Sequence, residues 1–152
     1  MNSKPGAYVF PTRNLKRYRF PTHINDLVMD RADAECSEVF MVVVPANEGA
    51  PLHQHDDTEQ IFYLLEGRGT LTVGANSFPV EAGDVVRIPM KTLHSVRADK
   101  GEAVKYLCVD CFGARAAGDE PTWDAHVRAM CRQHGWNYES VAGLSARKPS
   151  SV

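Results

Sequence analysis

An all-β fold of short antiparallel strands, closed as a barrel or stacked as a sandwich, is the class this sequence predicts. Three observations carry the prediction. Runs rich in β-branched and aromatic residues recur from Val39 onward, turn residues punctuate them, and the connections are too short for crossover helices. That last point argues against a parallel α/β sheet.

Residues 1–20 mix Pro, Gly and aromatics without sustained periodicity and read as an extended N-terminal arm. Its basic cluster, Arg13, Lys16, Arg17 and Arg19, reads as a solvated face. A barrel is expected over 21–115, with strands at VFMVVV (39–44), QIFYLL (60–65), GTLTV (69–73), DVVRI (84–88) and AVKYLCV (103–109). Turns fall at Pro45 to Pro51, Gly67-Arg68-Gly69, Gly74-Ala75-Asn76 and Asp99-Lys100-Gly101. A C-terminal helix is expected over 119–136, because Pro121 suits a first turn, Trp123, Val127, Met130 and Cys131 share a stripe, and Gly135 offers a stop. The small, polar and basic residues of 143–152 read as a frayed tail.

Composition bounds the function. At 152 residues with 43% hydrophobic side chains the chain fits one domain, large enough to withdraw about 70% of its unfolded surface from water without disulfide or zinc staples. Seventeen Lys and Arg against nineteen Asp and Glu leave a formal charge of −2, which argues against nucleic-acid or anionic-membrane partners. No apolar run approaches the ~18 residues that span a bilayer, and the start shows no apolar stretch of a signal peptide. The expected location is therefore the cytoplasm, with Cys36, Cys108, Cys111 and Cys131 as reduced thiols.

His53-Gln54-His55 places two imidazoles at i and i+2, which on a strand face the same side roughly 7 Å apart and can chelate one metal. A third histidine, His94, follows the run GDVVRIPMKTL that starts at Gly83. The segment from Gly49 to Ala98 resembles the cupin superfamily. The first cupin motif, His-x-His, a short spacer, a metal-binding residue, six residues and Gly, reads here as His53, His55, Gln60 and Gly67. The second, Gly, five residues, Pro and a histidine five further on, reads as Gly83, Pro89 and His94.

The resemblance implies a cupin-type antiparallel β-barrel, a double-stranded β-helix or jelly roll, with one divalent metal held by His53, His55, Gln60 and His94. Gln60 stands where many cupins carry Glu, with the carboxylate of Glu59 one position earlier. Counting from Gly67 puts Gln60 rather than Glu59 inside. Lys91 stands where the usual pattern has Gly, and Ala98 where it has Asn. Three imidazoles and an amide leave the ion's charge uncompensated, which favours an anionic ligand. Mn, Fe, Ni, Co and Zn all suit such mixed ligation.

Glu59 and Asp57 are candidates for a general base, with a solvated acidic turn as the alternative. Arg87, Lys91 and Tyr106 are candidates for contacting substrate, Arg87 as a carboxylate clamp. Phe62, Leu64, Val86 and Cys108 read as packing, Cys108-Val-Asp-Cys111 as an incidental spacing, and His126 and His134 as surface or cap residues of the helix. Three function classes follow. The first is a dioxygenase-like oxygenase acting on a small anionic organic molecule, which needs a redox-active metal. The second is an isomerase, lyase or decarboxylase using the metal as Lewis acid, and the third a non-catalytic binder. A homodimer is expected, since exposed strand edges need covering.

Overall fold

Nine strands and two helices are laid down by a computed structural model that describes residues 8–113 and 120–144. The strands are β1 (Lys16–Arg19), β2 (Ile24–Met29), β3 (Ser37–Val44), β4 (Thr58–Glu66), β5 (Arg68–Val73), β6 (Asn76–Glu81), β7 (Val85–Ile88), β8 (His94–Ala98) and β9 (Val104–Phe112). The helices are α1 (Trp123–His134) and the short α2 (Tyr138–Val141). Strand order is β1-β2-β3-β9-β4-β7 in one sheet and β6-β5-β8 in the other, with every pairing antiparallel.

Alternation builds the interior. In β3, Glu38, Phe40, Val42 and Val44 are buried while their neighbours are only partly so, and β9 alternates the same way through Val104, Tyr106, Cys108 and Asp110. On β4 the inward residues are Thr58, Gln60, Phe62 and Leu64. The two sheets face each other over this core without closing into one hydrogen-bonded ring. Isolated bridges, Gly49 to Arg97 and His53 to His94, tie β8 to the segment that precedes β4.

The two motif glycines have separate reasons. Gly67 has φ +86°, and a Cβ there would fall on the carbonyl of Ala103, so only glycine fits between β4 and β5. Gly83 has open space around it but φ +97°, a turn conformation that side chains resist.

The structure departs from the sequence reading in several places. Residues 16–19 of the expected arm form β1, in which Arg17 pairs with Asp26 at 2.7 Å and Lys16 donates to the carbonyl of Ala142. Strands β2, β6 and β8 were not among the expected runs. The C-terminal helix begins at Trp123, with Thr122 as its cap accepting from the Ala125 N–H at 3.1 Å, and Pro121 lies outside it. Gly135, at φ 70°, closes it as expected. Residue 119 of the expected helix, residues 1–7 of the arm and the tail from 145 lie outside the described residues. No helix among the described residues is long and apolar enough to cross a membrane.

Candidate metal centre

His94 opens β8 and is 2% exposed, and His53 and His55 lie in the segment leading into β4. Reciprocal backbone hydrogen bonds join His53 and His94, at 3.2 and 2.8 Å, so the bridge between them fixes their spacing. The three imidazoles have ring centroids 4.4 to 5.6 Å apart, and one ring nitrogen of each lies within 4.8 Å of the others. Gln60 on β4 joins them, its Oε1 lying 2.8 Å from His94 Nε2.

The protonation pattern follows from the partners. Nδ1 of His53 sits 2.7 Å from the Pro51 carbonyl and Nδ1 of His94 sits 2.9 Å from that of Thr92. A carbonyl can only accept, so both Nδ1 atoms carry the hydrogen and both Nε2 atoms keep a lone pair. Burial, and then the neighbouring imidazoles, lowers His55 to about 3; burial, and then His53, lowers His94 to about 4. Burial lowers His53 as well. All three rings are thus neutral at pH 7, the form a metal requires.

Two features fit a cation here. His55 Nε2 is buried without a hydrogen-bond partner. In addition, the Gln60 amide donates through Nε2 to Asp110 Oδ1 at 2.7 Å, which leaves Oε1 facing the lone pair of His94 Nε2. Two acceptors at hydrogen-bond distance repel unless a positive charge sits between or beside them. A divalent ion held by the three imidazoles and the amide oxygen would supply that charge.

The centre sits in a cavity of about 390 Å³, within the size range of small-ligand pockets. Phe40, Phe62, Tyr106, Trp123 and Trp136 give it aromatic walls, and α1 covers one side through Trp123, His126, Met130 and His134. Residues 40–110 match a family model described as the cupin domain. The chain thus carries a cupin domain over that segment.

An uncharacterized protein of Methanocaldococcus jannaschii is 39% identical to this cupin over 66 residues, 43% of this chain and 53% of that protein. Quercetin 2,3-dioxygenase of Bacillus subtilis is 26% identical over 91 residues, 59% of this chain and 27% of that enzyme. The matches thus span about half the length of the first relative and about a quarter of the second. Among solved structures, a Thermotoga maritima protein described as a predicted oxalate decarboxylase superposes with TM-score 0.63 at 18% identity, over 68% of this chain and 98% of that one. The cupin domain of Schizosaccharomyces pombe Cnp3 superposes with TM-score 0.58 at 17% identity, over 84% of this chain and 78% of that one. At such identities the likeness is one of fold.

The other sequence candidates divide. Tyr106 lines the cavity, and burial raises its phenol well above the usual range, so it stays protonated. Glu59 and Arg87 pair with each other at 2.8 Å and neither lines the cavity. They sit at outward parity, Arg87 opposite Ile61 in the register of β4 with β7. Asp57 is exposed and accepts from the Thr58 hydroxyl at 3.0 Å. Lys91 is exposed with φ 56°, a left-handed conformation that glycine adopts more readily, and its N–H donates to the His55 carbonyl at 2.7 Å. The base and clamp expected from Glu59, Asp57, Arg87 and Lys91 therefore lie outside this cavity.

Sequence reasoning missed a buried polar row beneath the centre of this cupin. Glu38, Asp110 and Gln60 are directly opposed across β3, β9 and β4. Arg31 binds Glu38 through two contacts, at 2.7 and 2.8 Å. One cation for two buried carboxyls leaves one of them neutral. Burial first, and then the hydrogen bond and charge of Glu38, pushes Asp110 well above the carboxylate range, so Asp110 holds the proton. A signal for the row existed, since Glu38 and Asp110 occupy inward parity in otherwise apolar strands. His126, read as a surface residue, lines the cavity, with Nδ1 2.7 Å from Glu120.

Proposed function

We propose that this cupin binds one divalent metal ion, Mn, Fe, Ni, Co or Zn, through His53, His55, Gln60 and His94, and acts as a metal-dependent oxygenase on a small anionic organic molecule. The observation that carries the reading is the convergence of neutral donors, two of them held as facing acceptors, at the base of an aromatic-walled cavity. When bound, the metal supplies Lewis acidity and, if redox-active, a path for electrons to O2. The chain's own part is to keep three imidazoles neutral, to aim the Gln60 oxygen through Asp110 and to surround the ligand with apolar walls that exclude water. No carboxylate belongs to the donor set, so the centre keeps its positive charge for an anion. The match to a relative named quercetin 2,3-dioxygenase supports the oxygenase class.

A second reading, an isomerase, lyase or decarboxylase, is favoured by the Glu120–His126 pair. An imidazole at the cavity, oriented by a carboxylate, is placed to move a proton on a bound ligand. Metal content by inductively coupled plasma mass spectrometry separates the readings, on protein purified without a metal-affinity column and compared with His53→Ala. Near-stoichiometric Fe, Mn or Ni that is lost in the variant supports the oxygenase. Stoichiometric Zn moves the assignment to Lewis-acid chemistry, and failure to take up any metal leaves a small-ligand binder.

The same reading places the protein in the cytoplasm, supported by four cysteines that are all free thiols. It also makes it a homodimer, supported by the exposed pair Tyr63 and Val85, opposite each other on β4 and β7. Light scattering after size exclusion reads the mass; a monomer at micromolar concentration rejects the dimer.

A further inference from the structure

Register divides one wall of the cavity into three cross-strand rows. The first is Gln60 opposite Asp110, at the candidate metal centre. The second, Phe62, Cys108 and Phe40, is mostly aromatic. The third runs from Tyr106 through Val42 to Asn25, on β9, β3 and β2. All three of its members are buried on the inward face and line the cavity. Opposed residues on neighbouring strands stand about 5 Å apart, so Tyr106 and Asn25 flank Val42 with about 10 Å between their Cα atoms. Four residues along β9 separate the first row from the third, or about 13 Å.

The third row offers open donors. Among the described residues, the partnerless side-chain atoms sealed from solvent are His55 Nε2, Trp123 Nε1 and Asn25 Oδ1. Tyr106 Oη and Asn25 Nδ2 lack partners too, yet they are not sealed. Their residues are 6% and 4% exposed and border this cavity, so the cavity is the space these two atoms meet. Nδ2 only donates, and burial keeps the Tyr106 phenol protonated. The Tyr106 ring packs on Phe62 of the second row at 4.6 Å. Among the described residues no Lys or Arg lines the cavity. An anionic group at this end would be desolvated without a counter-charge, whereas a neutral acceptor avoids that penalty.

We infer that Tyr106 and Asn25 form a donor row for a neutral acceptor oxygen, a carbonyl, at the far end of an aromatic acid whose carboxylate lies toward the histidine triad. The second row then packs the ring between the two polar ends. The inference rests on the proposed metal centre for the carboxylate end only.

Calorimetry on the full chain loaded with Zn tests it with three pairs of graded length, in which a methyl replaces the ketone oxygen. These are 4-acetylbenzoate with 4-isopropylbenzoate, 4-acetylphenylacetate with 4-isopropylphenylacetate, and 3-(4-acetylphenyl)propionate with 3-(4-isopropylphenyl)propionate. The quantity read is the affinity of each ketone relative to its hydrocarbon partner. For at least one pair, Tyr106→Phe and Asn25→Leu should each lower that ratio by about 5-fold, the effect of one neutral hydrogen bond. Taking the ratio within each variant cancels general damage to folding. Thermal unfolding separates recognition from packing. Tyr106→Phe should leave the midpoint of the ligand-free chain unchanged or raised, because the hydroxyl it removes has no partner in the protein.

No binding by any pair, ratios that survive either substitution in every pair, or a lowered midpoint in ligand-free Tyr106→Phe would overturn the donor row. His53→Ala separates this inference from the metal reading. It should weaken both members of a pair equally and leave their ratio intact. If it weakens neither, the carboxylate is not held at the metal centre, and the ratios in the two donor variants still decide the row.

Discussion

The cross-strand neighbours of Gln60 explain why an amide stands at this position. Asp110 and Glu38 continue the same cross-strand row, so a glutamate at 60 would set three carboxyls in line against the single guanidinium of Arg31. The amide instead donates to Asp110 and presents its oxygen to His94. Gln60→Glu should therefore destabilise the metal-free chain by about 1–3 kcal/mol in urea unfolding with chelator present. Added Zn should restore it, because the new carboxylate then has a cation; unchanged stability without metal would remove this account of the row. His23 makes a second test at this scale. It stacks on Phe20 at 4.8 Å, and burial, followed by the charges of His53 and His134, lowers it to about 4. A histidine favoured as neutral in the fold contributes fully above its unfolded pKa near 6.5 and loses that contribution as pH falls toward 4. Between pH 7 and 5 the loss is about 2 kcal/mol. His23→Phe, which preserves the stack, should flatten the acid limb of the stability profile by about that amount in urea titrations at the two pH values. Residue identities in the triad were legible from motif spacing. Asp110, Glu38 and Asn25 were not singled out, because their meaning depends on register between strands that lie far apart in the chain.

At the scale of elements, the strands that sequence located are those whose periodicity is strong. The apolar run of β3, the QIFYLL of β4 and the AVKYLCV of β9 form the centre of the larger sheet, and all three alternate. The ones it missed carry mixed messages. Strand β2 contains Asn25-Asp26, β6 contains Pro79 and runs along an edge where a missing N–H is tolerated, and β8 starts at His94 and is five residues long. Strands β6 and β8 are edges that pair on one side only, so they need less apolar content and signal less, whereas β2 lies inside its sheet and is masked by its polar Asn25-Asp26 pair. The buried pair Arg31–Glu38, with side chains 5% and 0% exposed, anchors the turn after β2 to β3. Arg31→Met should cost about 3–5 kcal/mol, because it strands Glu38 beside Asp110. The double variant Arg31→Met with Glu38→Leu should recover most of it, whereas equal losses in single and double variants would mean that the charge pair is not the origin. For α1, Thr122→Ala removes the cap and should cost about 1 kcal/mol.

At the scale of the molecule, the candidate centre joins β8 to β4, which no strand pairing connects. His94 belongs to β8 in the three-stranded sheet, Gln60 to β4 in the six-stranded sheet, and His53 and His55 to the segment between β3 and β4. An ion held by all four therefore clamps one sheet to the other, and the clamp exists only in the folded chain. Linkage then fixes the consequence: at a free metal concentration 100 times the dissociation constant, folding gains about 2.7 kcal/mol. For a domain of this size that is a rise of about 5–10 °C in the unfolding midpoint. The rise should grow with the logarithm of metal concentration, and chelator should reverse it. His94→Ala should abolish it while leaving the metal-free midpoint within the range expected for loss of one buried side chain. Calorimetric scans over a Zn or Ni series test this without knowledge of substrate or activity. A midpoint indifferent to metal in the unmodified chain would remove the clamp, and a metal response that persists in His94→Ala would move the ion to other ligands.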